Sequence, residues 1–283
     1  MTFHQASSAT GAGQTADVNP KTGLPQTGAE TREAIRQGRF RQPTSGVAPD
    51  FVQTNVAILP RDVAFEFLLF CQRNPKPCPV IEVLEPGQVE ATLSAPGSDI
   101  RTDVPLYRVY QRGELVHEPE DILGIWRDDL VTFLLGCSFS FEHALLRNGI
   151  ALPYFGTDKN VSMFRTNIPT NPAGPFSGPM VVTQRWIPRE KVVRAVQATS
   201  RFPAVHGAPI HIGDPSQIGI ADPLKPDFGD PWPPSSPDDV PVYWACGVTP
   251  QAVAMSSKPE LMITHSPGHM FVTDLKDEDL AVL

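Results

Sequence analysis

The 283-residue chain has no apolar stretch that approaches the roughly 20 residues a membrane-spanning helix needs. It has no basic excess either, because 23 lysines and arginines face 31 aspartates and glutamates, for a net charge of −8. Such a charge argues against nucleic acid and anionic membranes as general partners. Only four cysteines occur and no two have CxxC spacing, which excludes a disulfide scaffold and favours reduced thiols. We therefore expect a cytoplasmic protein without a membrane segment.

Several familiar catalytic motifs are absent as well. The segment GCSFSFE at 136–142 lacks the second glycine and the preceding strand of a serine-hydrolase elbow. His265 and His269 have the spacing of a zincin motif, but Ser-Pro-Gly lies between them and the glutamate is missing. No cofactor is therefore expected. As an alternative, a divalent metal could be held by a site assembled in space from His206, His211, Asp214, His265, His269 or Asp274.

Proline is the residue in clearest excess, with 31 copies, where average usage would give about 14. Five prolines fall within 226–239, which predicts a surface loop. Residues 1–29 are rich in small polar side chains and predict a flexible tail, and 276–283 predict a second tail. The folded region is then 30–275, with a smaller subdomain expected around 78–160.

The apolar pattern predicts helices and strands in mixed order. The first half predicts helices at 30–37, 60–71 and 120–135, a strand at 78–85 and a hairpin at 107–118 that turns near Arg112. The second half predicts strands at 161–167, 179–186, 209–212, 240–245 and 261–264, with helices at 189–199 and 250–256. Alternation of strand and helix is typical of α/β proteins. We predict an α/β plus α+β fold with two intertwined domains, a layered α/β sandwich and a smaller α+β unit.

The segment RFPAVHGAPIHIGDP at 201–215 has the composition of a binding site. Its prolines and glycines exclude a regular helix and hold polar side chains on a rigid, irregular path. His206, His211 and Asp214 are therefore candidates for catalysis. The alternative is a buried turn whose histidines hydrogen-bond to backbone carbonyls.

The segment YWACGVTPQ at 243–251 predicts a strand that runs into a helix. Thr249 is placed to cap that helix and Pro250 suits its first turn. Free N–H groups near Gly247 and Thr249 would attract a carboxylate or phosphate, although a generic strand-to-helix connection has the same pattern. Cys246 is either a small buried residue or a thiol whose pKa is lowered by the helix start.

Three arginines are candidates for carboxylate binding. Arg101 and Arg165 each precede a threonine near the end of a predicted strand, and Arg201 begins the histidine-rich segment. Arginine can bind a carboxylate through two parallel hydrogen bonds, although structural ion pairs are the alternative for each residue. Cys137, in the GCSFSFE segment, is a further nucleophile candidate.

Six strings resemble the hydro-lyase family that includes the D-glutamate cyclases. They are CQRNPKPCP, WRDDLVTFLLGCSFSFE, MFRTNIPTNPAGPF, TSRFPAVHGAPIHIGDP, YWACGVTPQAV and ITHSPGHMFVTDL. The resemblance extends over about 30–275 and implies a two-domain fold of α/β and α+β character. It also implies a carbon–oxygen lyase that cyclises D-glutamate to 5-oxo-D-proline with loss of water.

This reaction requires a neutral amine, a stabilised oxyanion and an oxygen that leaves as water. His206 or His211 could act as the base, oriented by Asp214, and His265 or His269 as the acid. The candidate acyl carriers are Cys137 and Cys246, and direct attack of the amine is the simpler route.

The substrate's charges require partners of their own. Arg165, Arg201 or Arg101 could bind the α-carboxylate, while N–H groups at Gly247 and Thr249 could receive the oxyanion. The expected partner is a small carboxylate or amino acid, and a homo-oligomer is left open. Two alternative functions remain: a metal-dependent dehydratase of another small hydroxy or amino acid, and a carboxylate-binding regulatory module without catalysis.

Overall fold

The computed structural model describes residues 23–282, in which eleven strands form two sheets. The larger sheet contains β1 (Phe51–Pro60), β2 (Val80–Leu84), β3 (Tyr107–Gln111), β4 (Glu114–His117), β5 (Leu130–Gly136), β10 (Met262–His265) and β11 (Phe271–Lys276). The smaller sheet contains β6 (Ser162–Pro169), β7 (Pro179–Pro188), β8 (His211–Ile212) and β9 (Asp239–Ala245). The predicted mixture of helices and sheets is confirmed, and every strand pair in the described part of the chain is antiparallel.

Strand β1 lies near the centre of the larger sheet, whose order is β2-β5-β1-β10-β3-β4. One edge of β1 pairs with β5. Two strands share the other edge: β10 pairs with Ala57 and Ile58, and β11 pairs with the start of β1. Residues from the two ends of the folded region thus complete one sheet. The smaller sheet, of order β6-β7-β9-β8, comes from the chain between them.

Five α-helices connect or cover the sheets within the described residues. They are α1 (Gly28–Arg36), α2 (Arg61–Arg73), α3 (Glu142–Arg147), α4 (Val192–Ser200) and α5 (Thr249–Ser257). Thr27 caps α1, since its hydroxyl accepts the Glu30 N–H at 3.1 Å. None of these helices is long and apolar enough to cross a membrane.

Two parts of the predicted pattern require correction. The helix predicted at 120–135 is wrong: a short 3₁₀ turn at Leu123–Ile125 is followed by strand β5. All seven residues of β5 are buried, and a strand buried on both faces lacks the alternation that identifies strands. Strands β1 and β11 were not predicted. In β1 the buried polar run of Gln53, Thr54 and Asn55 interrupts the apolar pattern.

Most other predicted elements are confirmed. The hairpin turns at Arg112 and Gly113, which have φ angles of 49° and 84°. Of the predicted N-terminal tail 1–29, residues 1–22 lie outside the described residues, and α1 begins at Gly28. Within the proline-rich segment 226–239, the backbone of Phe228 pairs with Met163 of β6, and the last residue, Asp239, begins β9.

A buried ion pair joins the smaller sheet to α3. Arg185 of β7 contacts Glu142 at 2.8 Å, and their side chains are 1% and 0% exposed. Tyr154 donates to Glu142 at 2.7 Å and accepts from Arg185 Nε at 2.7 Å, while Ser45 donates to the second carboxylate oxygen. Burial raises the pKa of Glu142, and the charge of Arg185 opposes that rise.

We expect Glu142→Gln to lower the free energy of unfolding by about 3–5 kcal/mol, because Arg185 would remain buried without its counter-charge. Urea denaturation monitored by circular dichroism would measure the loss. Asp129→Asn is the matched control, since it removes an exposed ion pair with Arg127 and should cost less than about 1 kcal/mol. Equal losses in the two variants would contradict the proposed importance of the buried pair.

The chain after β11 forms a 3₁₀ turn at Asp277–Leu280, within the predicted C-terminal tail 276–283. Asp277 is buried, and its Oδ1 has no hydrogen-bond partner in the part of the chain that the structure describes. Burial, reinforced by the nearby charge of Asp50, raises the pKa of Asp277 to about 8.

Because the folded pKa of Asp277 lies above its unfolded value, deprotonation favours the unfolded chain. Its contribution to the free energy of unfolding should therefore fall between about pH 4 and 8, by at most about 1.4 kcal/mol per pH unit. Asp277→Asn should flatten this pH dependence in denaturation experiments. The exposed control Asp238→Asn should retain the wild-type slope, and a wild-type slope in Asp277→Asn would refute the assignment.

Candidate functional site

A cavity of about 400 Å³ opens between the two sheets. We define the inter-sheet cleft as this cavity together with Arg165, whose guanidinium lies against the lining residue Phe228, and the side chains of Met255, Gln251 and Tyr110 that connect Arg165 to β3. Arg108 of β3 and His269 line the cavity from the side of the larger sheet. The loop 227–230, which packs on β6, lines it from the other side.

Arg108 enters the cleft on the face of β3 that also carries Tyr110, because alternate residues of a strand share a face. Its Nε donates to Glu118 at 2.8 Å. Tyr110 in turn donates to Gln251 of α5 at 3.4 Å. Burial raises the pKa of Tyr110, and the positive charges of Arg108 and Arg165 oppose that rise. Both cations therefore lie within electrostatic reach of one phenol.

Arg165 reaches the cleft from β6. Its Nη2 is 3.4 Å from the sulfur of Met255, and its guanidinium lies 5.1 Å from the ring centre of Phe228. The Asp227 carboxylate accepts the backbone N–H of Arg165 at 2.8 Å, which fixes the loop to the strand. Among residues 23–282, no carboxylate forms a salt bridge with the Arg165 side chain. The cleft thus contains an arginine available to an anion.

His269 is held in the cleft by a tight turn. Its N–H bonds to the Ser266 carbonyl at 2.9 Å, and Gly268 has a φ of 83°. A β-carbon at Gly268 would lie 2.3 Å from the Asn160 amide nitrogen, so this close approach requires glycine. Burial lowers the pKa of His269, and the charge of Arg108 adds to that effect. The ring Nδ1 lies 3.1 Å from the Pro267 carbonyl, to which it can only donate, and a backbone hydrogen bond with Arg41 also holds the ring.

Cys137 and Cys246 occupy a second, fully interior region. Each follows the last residue of a strand, and each sulfur accepts the N–H two residues later, at 3.5 Å from Phe139 and 3.4 Å from Val248. Burial raises the pKa of both thiols, to about 12 for Cys246. Both thiols are therefore protonated at neutral pH.

Asn55 joins the two cysteine turns. Its amide donates to the Gly136 carbonyl at 2.7 Å, and a β-carbon at Gly247 would lie 1.8 Å from the same nitrogen. Thr249 donates to the Cys246 carbonyl at 2.7 Å and accepts the Val181 N–H at 3.1 Å. The Thr249 hydroxyl and the N–H groups of Val248 and Thr249 are already engaged within the protein. The α5 start thus offers fewer donors to a ligand than its sequence indicates.

The histidine-rich segment divides between two sides of the smaller sheet. His211 stacks 5.8 Å from Tyr243, whereas His206 lies near Arg185, on the side that carries Trp244. Consecutive strand residues such as Tyr243 and Trp244 point to opposite faces, so the two histidines do not share a site. The Asp214 carboxylate is bonded to Ser216, and only its backbone carbonyl contacts His211, at 2.8 Å.

His206 and His265 are buried, neutral rings. Burial lowers the pKa of His206 to about 4 and that of His265 to about 3. His206 has a φ of 82°, and its Nδ1 lies 2.8 Å from the Lys76 carbonyl. The His265 ring accepts the Val56 N–H at 3.1 Å. Val56 lies between the part of β1 that pairs with β11 and the part that pairs with β10. The Nε2 atoms of both rings have no partner among the described residues.

The remaining arginine candidates lie apart from the cleft. Arg101 pairs with Asp99 at 2.7 Å and Arg201 pairs with Glu278 at 3.0 Å. Of the residues singled out from the sequence, the cleft brings together Arg165 and His269. Sequence reasoning did not single out Arg108, Tyr110, Gln251 or Asp227. The alternation of arginine and tyrosine in YRVYQR was the available signal for the first two.

The six residues considered for a metal are dispersed over these regions. Asp274, for example, pairs with Arg32 at 2.8 Å. In the described chain, no group of three or more His, Cys, Asp or Glu side chains is arranged to bind a metal ion.

Comparison with known proteins identifies the chain. The D-glutamate cyclase family profile matches residues 131–274. A protein named "Putative hydro-lyase" from Geobacillus kaustophilus is 60% identical over 259 residues, which cover 92% of this chain and 98% of the relative. A protein of the same description from Stutzerimonas stutzeri is 60% identical over 90% of this chain and 96% of its own length.

A third relative, from Bacillus subtilis, is 57% identical over 90% of this chain and 98% of its own length. These matches define the class of the protein, which is a carbon–oxygen lyase of the hydro-lyase type. The chain belongs to the D-glutamate cyclase family.

We expect the Cys137 and Cys246 thiols to resist modification in the native protein, because a thiol reacts as thiolate and burial holds both thiols protonated. Native protein incubated with iodoacetamide at pH 8 should remain unlabelled at both sites by peptide mass spectrometry. Protein unfolded in guanidinium is the control and should be labelled at all four cysteines. Rapid stoichiometric labelling of either residue in the native state would restore it as a nucleophile candidate.

Proposed function

We propose that this protein cyclises D-glutamate to 5-oxo-D-proline with loss of water, and that the reaction takes place in the inter-sheet cleft. Membership of the D-glutamate cyclase family supports the reaction. The observation that carries the location is one open cavity that Arg108 and His269 line, with the Arg165 guanidinium against the lining residue Phe228. A small amino acid with two carboxylates and one ammonium group has matching charges.

The reaction balances without an oxidant or a reductant, and without net uptake or release of a proton. The amine nitrogen forms a bond to the γ-carboxyl carbon, and one C–O bond of that carboxyl breaks. Two protons leave the nitrogen, and both end on the departing oxygen as water. The essential task is therefore proton transfer from nitrogen to oxygen between groups held in contact.

His269 is the group in the cleft suited to this transfer. Its lowered pKa leaves the ring neutral near pH 7, and Nε2 can accept a proton when Nδ1 donates to Pro267. The same nitrogen can return the proton to the leaving oxygen. Asp227 supplies a carboxylate beside the cavity that attracts the substrate ammonium group.

The other candidates fit this role less well. His206 and His265 are enclosed in the protein interior, and His211 lies on the far side of the smaller sheet. Protonated thiols at Cys137 and Cys246 are poor acyl carriers. Direct attack by the substrate amine needs no covalent intermediate, since the five-membered ring brings nitrogen and carbon together.

We expect His269→Gln to lower kcat about 10²–10⁴-fold, the usual contribution of a general acid–base. Chiral chromatography of 5-oxo-D-proline formed from D-glutamate measures the rate. His117→Gln, at the exposed edge strand β4, is the control and should retain wild-type turnover. In the wild type, kcat/KM should fall as the pH drops below the ordinary histidine range, because His269 must be neutral and its pKa is lowered.

Other outcomes select other functions. Binding of D-glutamate without product would indicate a binding module. Turnover that chelator abolishes and one divalent metal restores would indicate a metal-dependent dehydratase. A larger loss in His211→Gln than in His269→Gln would move the site out of the cleft.

A further inference from the structure

We propose that Arg108 and Arg165 together determine substrate specificity by binding the two carboxylates of one ligand. This inference rests on the location given in the proposed function, and it adds the residues that select the ligand. The two arginines belong to different sheets, β3 of the larger and β6 of the smaller. A ligand that contacts both must carry an anionic group at each end.

The two arginines are prepared for binding in different ways. Arg108 is anchored, since its Nε is bonded to Glu118, and its side chain is 21% exposed. Arg165 is exposed and has no salt bridge among residues 23–282, although Met255 and Phe228 contact its guanidinium. The anchored arginine fixes one carboxylate in a defined position, and the more exposed one accepts the other.

The charge balance of the cleft supports this division. Glu118 already neutralises Arg108 in part, whereas Asp227 bonds to the backbone of Arg165 and not to its guanidinium. An incoming carboxylate therefore supplies the ion-pair partner that the Arg165 side chain lacks. A ligand with one carboxylate forms only one of the two charge-assisted contacts.

Glutarate isolates this recognition from catalysis, because it has both carboxylates of glutamate but no amine and cannot cyclise. Isothermal titration should show glutarate binding more than about tenfold tighter than butyrate, since a charge-assisted hydrogen bond contributes at least that factor. Arg165→Gln should reduce glutarate affinity to the level of butyrate. Arg165→Lys should recover part of the loss, because lysine keeps the charge but not the two-point geometry.

Arg108→Gln should weaken glutarate as strongly, and the double variant should bind it more weakly than either single variant, because each change removes a separate charge-assisted contact to the same ligand. Arg194→Gln is the matched control, an exposed arginine that lies outside the cleft and forms no salt bridge within residues 23–282. It should bind glutarate as the wild type does. Unchanged circular dichroism in every variant excludes loss of the fold as the cause.

The proposal is overturned if glutarate and butyrate bind equally well, or if Arg165→Gln binds glutarate as the wild type does. This failure is distinguishable from failure of the proposed function. Turnover of D-glutamate with no arginine-dependent glutarate binding would reject the two-arginine contact alone. Arginine-dependent glutarate binding with no 5-oxo-D-proline would reject the reaction alone.

Discussion

The buried contact between Arg185 and Glu142 is the constraint on which the arrangement of the two sheets depends. A guanidinium taken out of water is tolerated only where its charge and its donors are satisfied. Here Glu142, Tyr154 and Thr183 satisfy them, and the neighbouring rings of Phe141 and Trp244 each lie 5.4 Å from the guanidinium. Since Glu142 opens α3, which follows β5 of the larger sheet, and Arg185 belongs to β7, the pair joins the smaller sheet to the chain that leaves the larger one.

The cleft follows from this arrangement. The interior that surrounds Arg185 is closed by aromatic side chains and by the two cysteine turns at Asn55, so little space remains there. Farther along the same junction, β3 and β6 carry arginines and the junction stays open as the cavity. The charge of Arg185, which is paired with Glu142, is thus buried, whereas the charges of Arg108 and Arg165 lie where a ligand can reach them.

The sequence predicts those parts of the structure that depend on neighbouring residues. The Thr27 cap, the turn at Arg112 and Gly113 and a helix with Pro250 in its first turn follow from local propensity, and each is present. The predicted Thr249 cap is wrong, because Val248 is at the N-cap position and the Thr249 hydroxyl bonds to the Cys246 carbonyl and the Val181 N–H. Strand β5 was misassigned because a strand covered on both faces resembles a buried helix. Strand β1 was missed because Asn55 and its polar neighbours serve contacts with distant segments, which periodicity does not represent. For the same reason, the sequence pointed to Arg165 and His269 one at a time, but not to Arg108, which lines the cavity from another sheet. It also grouped His206 with His211, which are close in the chain and separated by a sheet.

The shared edge of β1 has a consequence for how the chain acquires its structure. Val56 donates to a histidine 209 residues away, and β11 then completes the pairing that β10 leaves unfinished. Such contacts carry a high entropic cost of loop closure and slow the formation of native structure. During synthesis, one edge of the central strand β1 therefore stays unpaired until β10 and β11 have left the ribosome. Chaperone occupancy of the nascent chain should consequently persist until the last strand emerges.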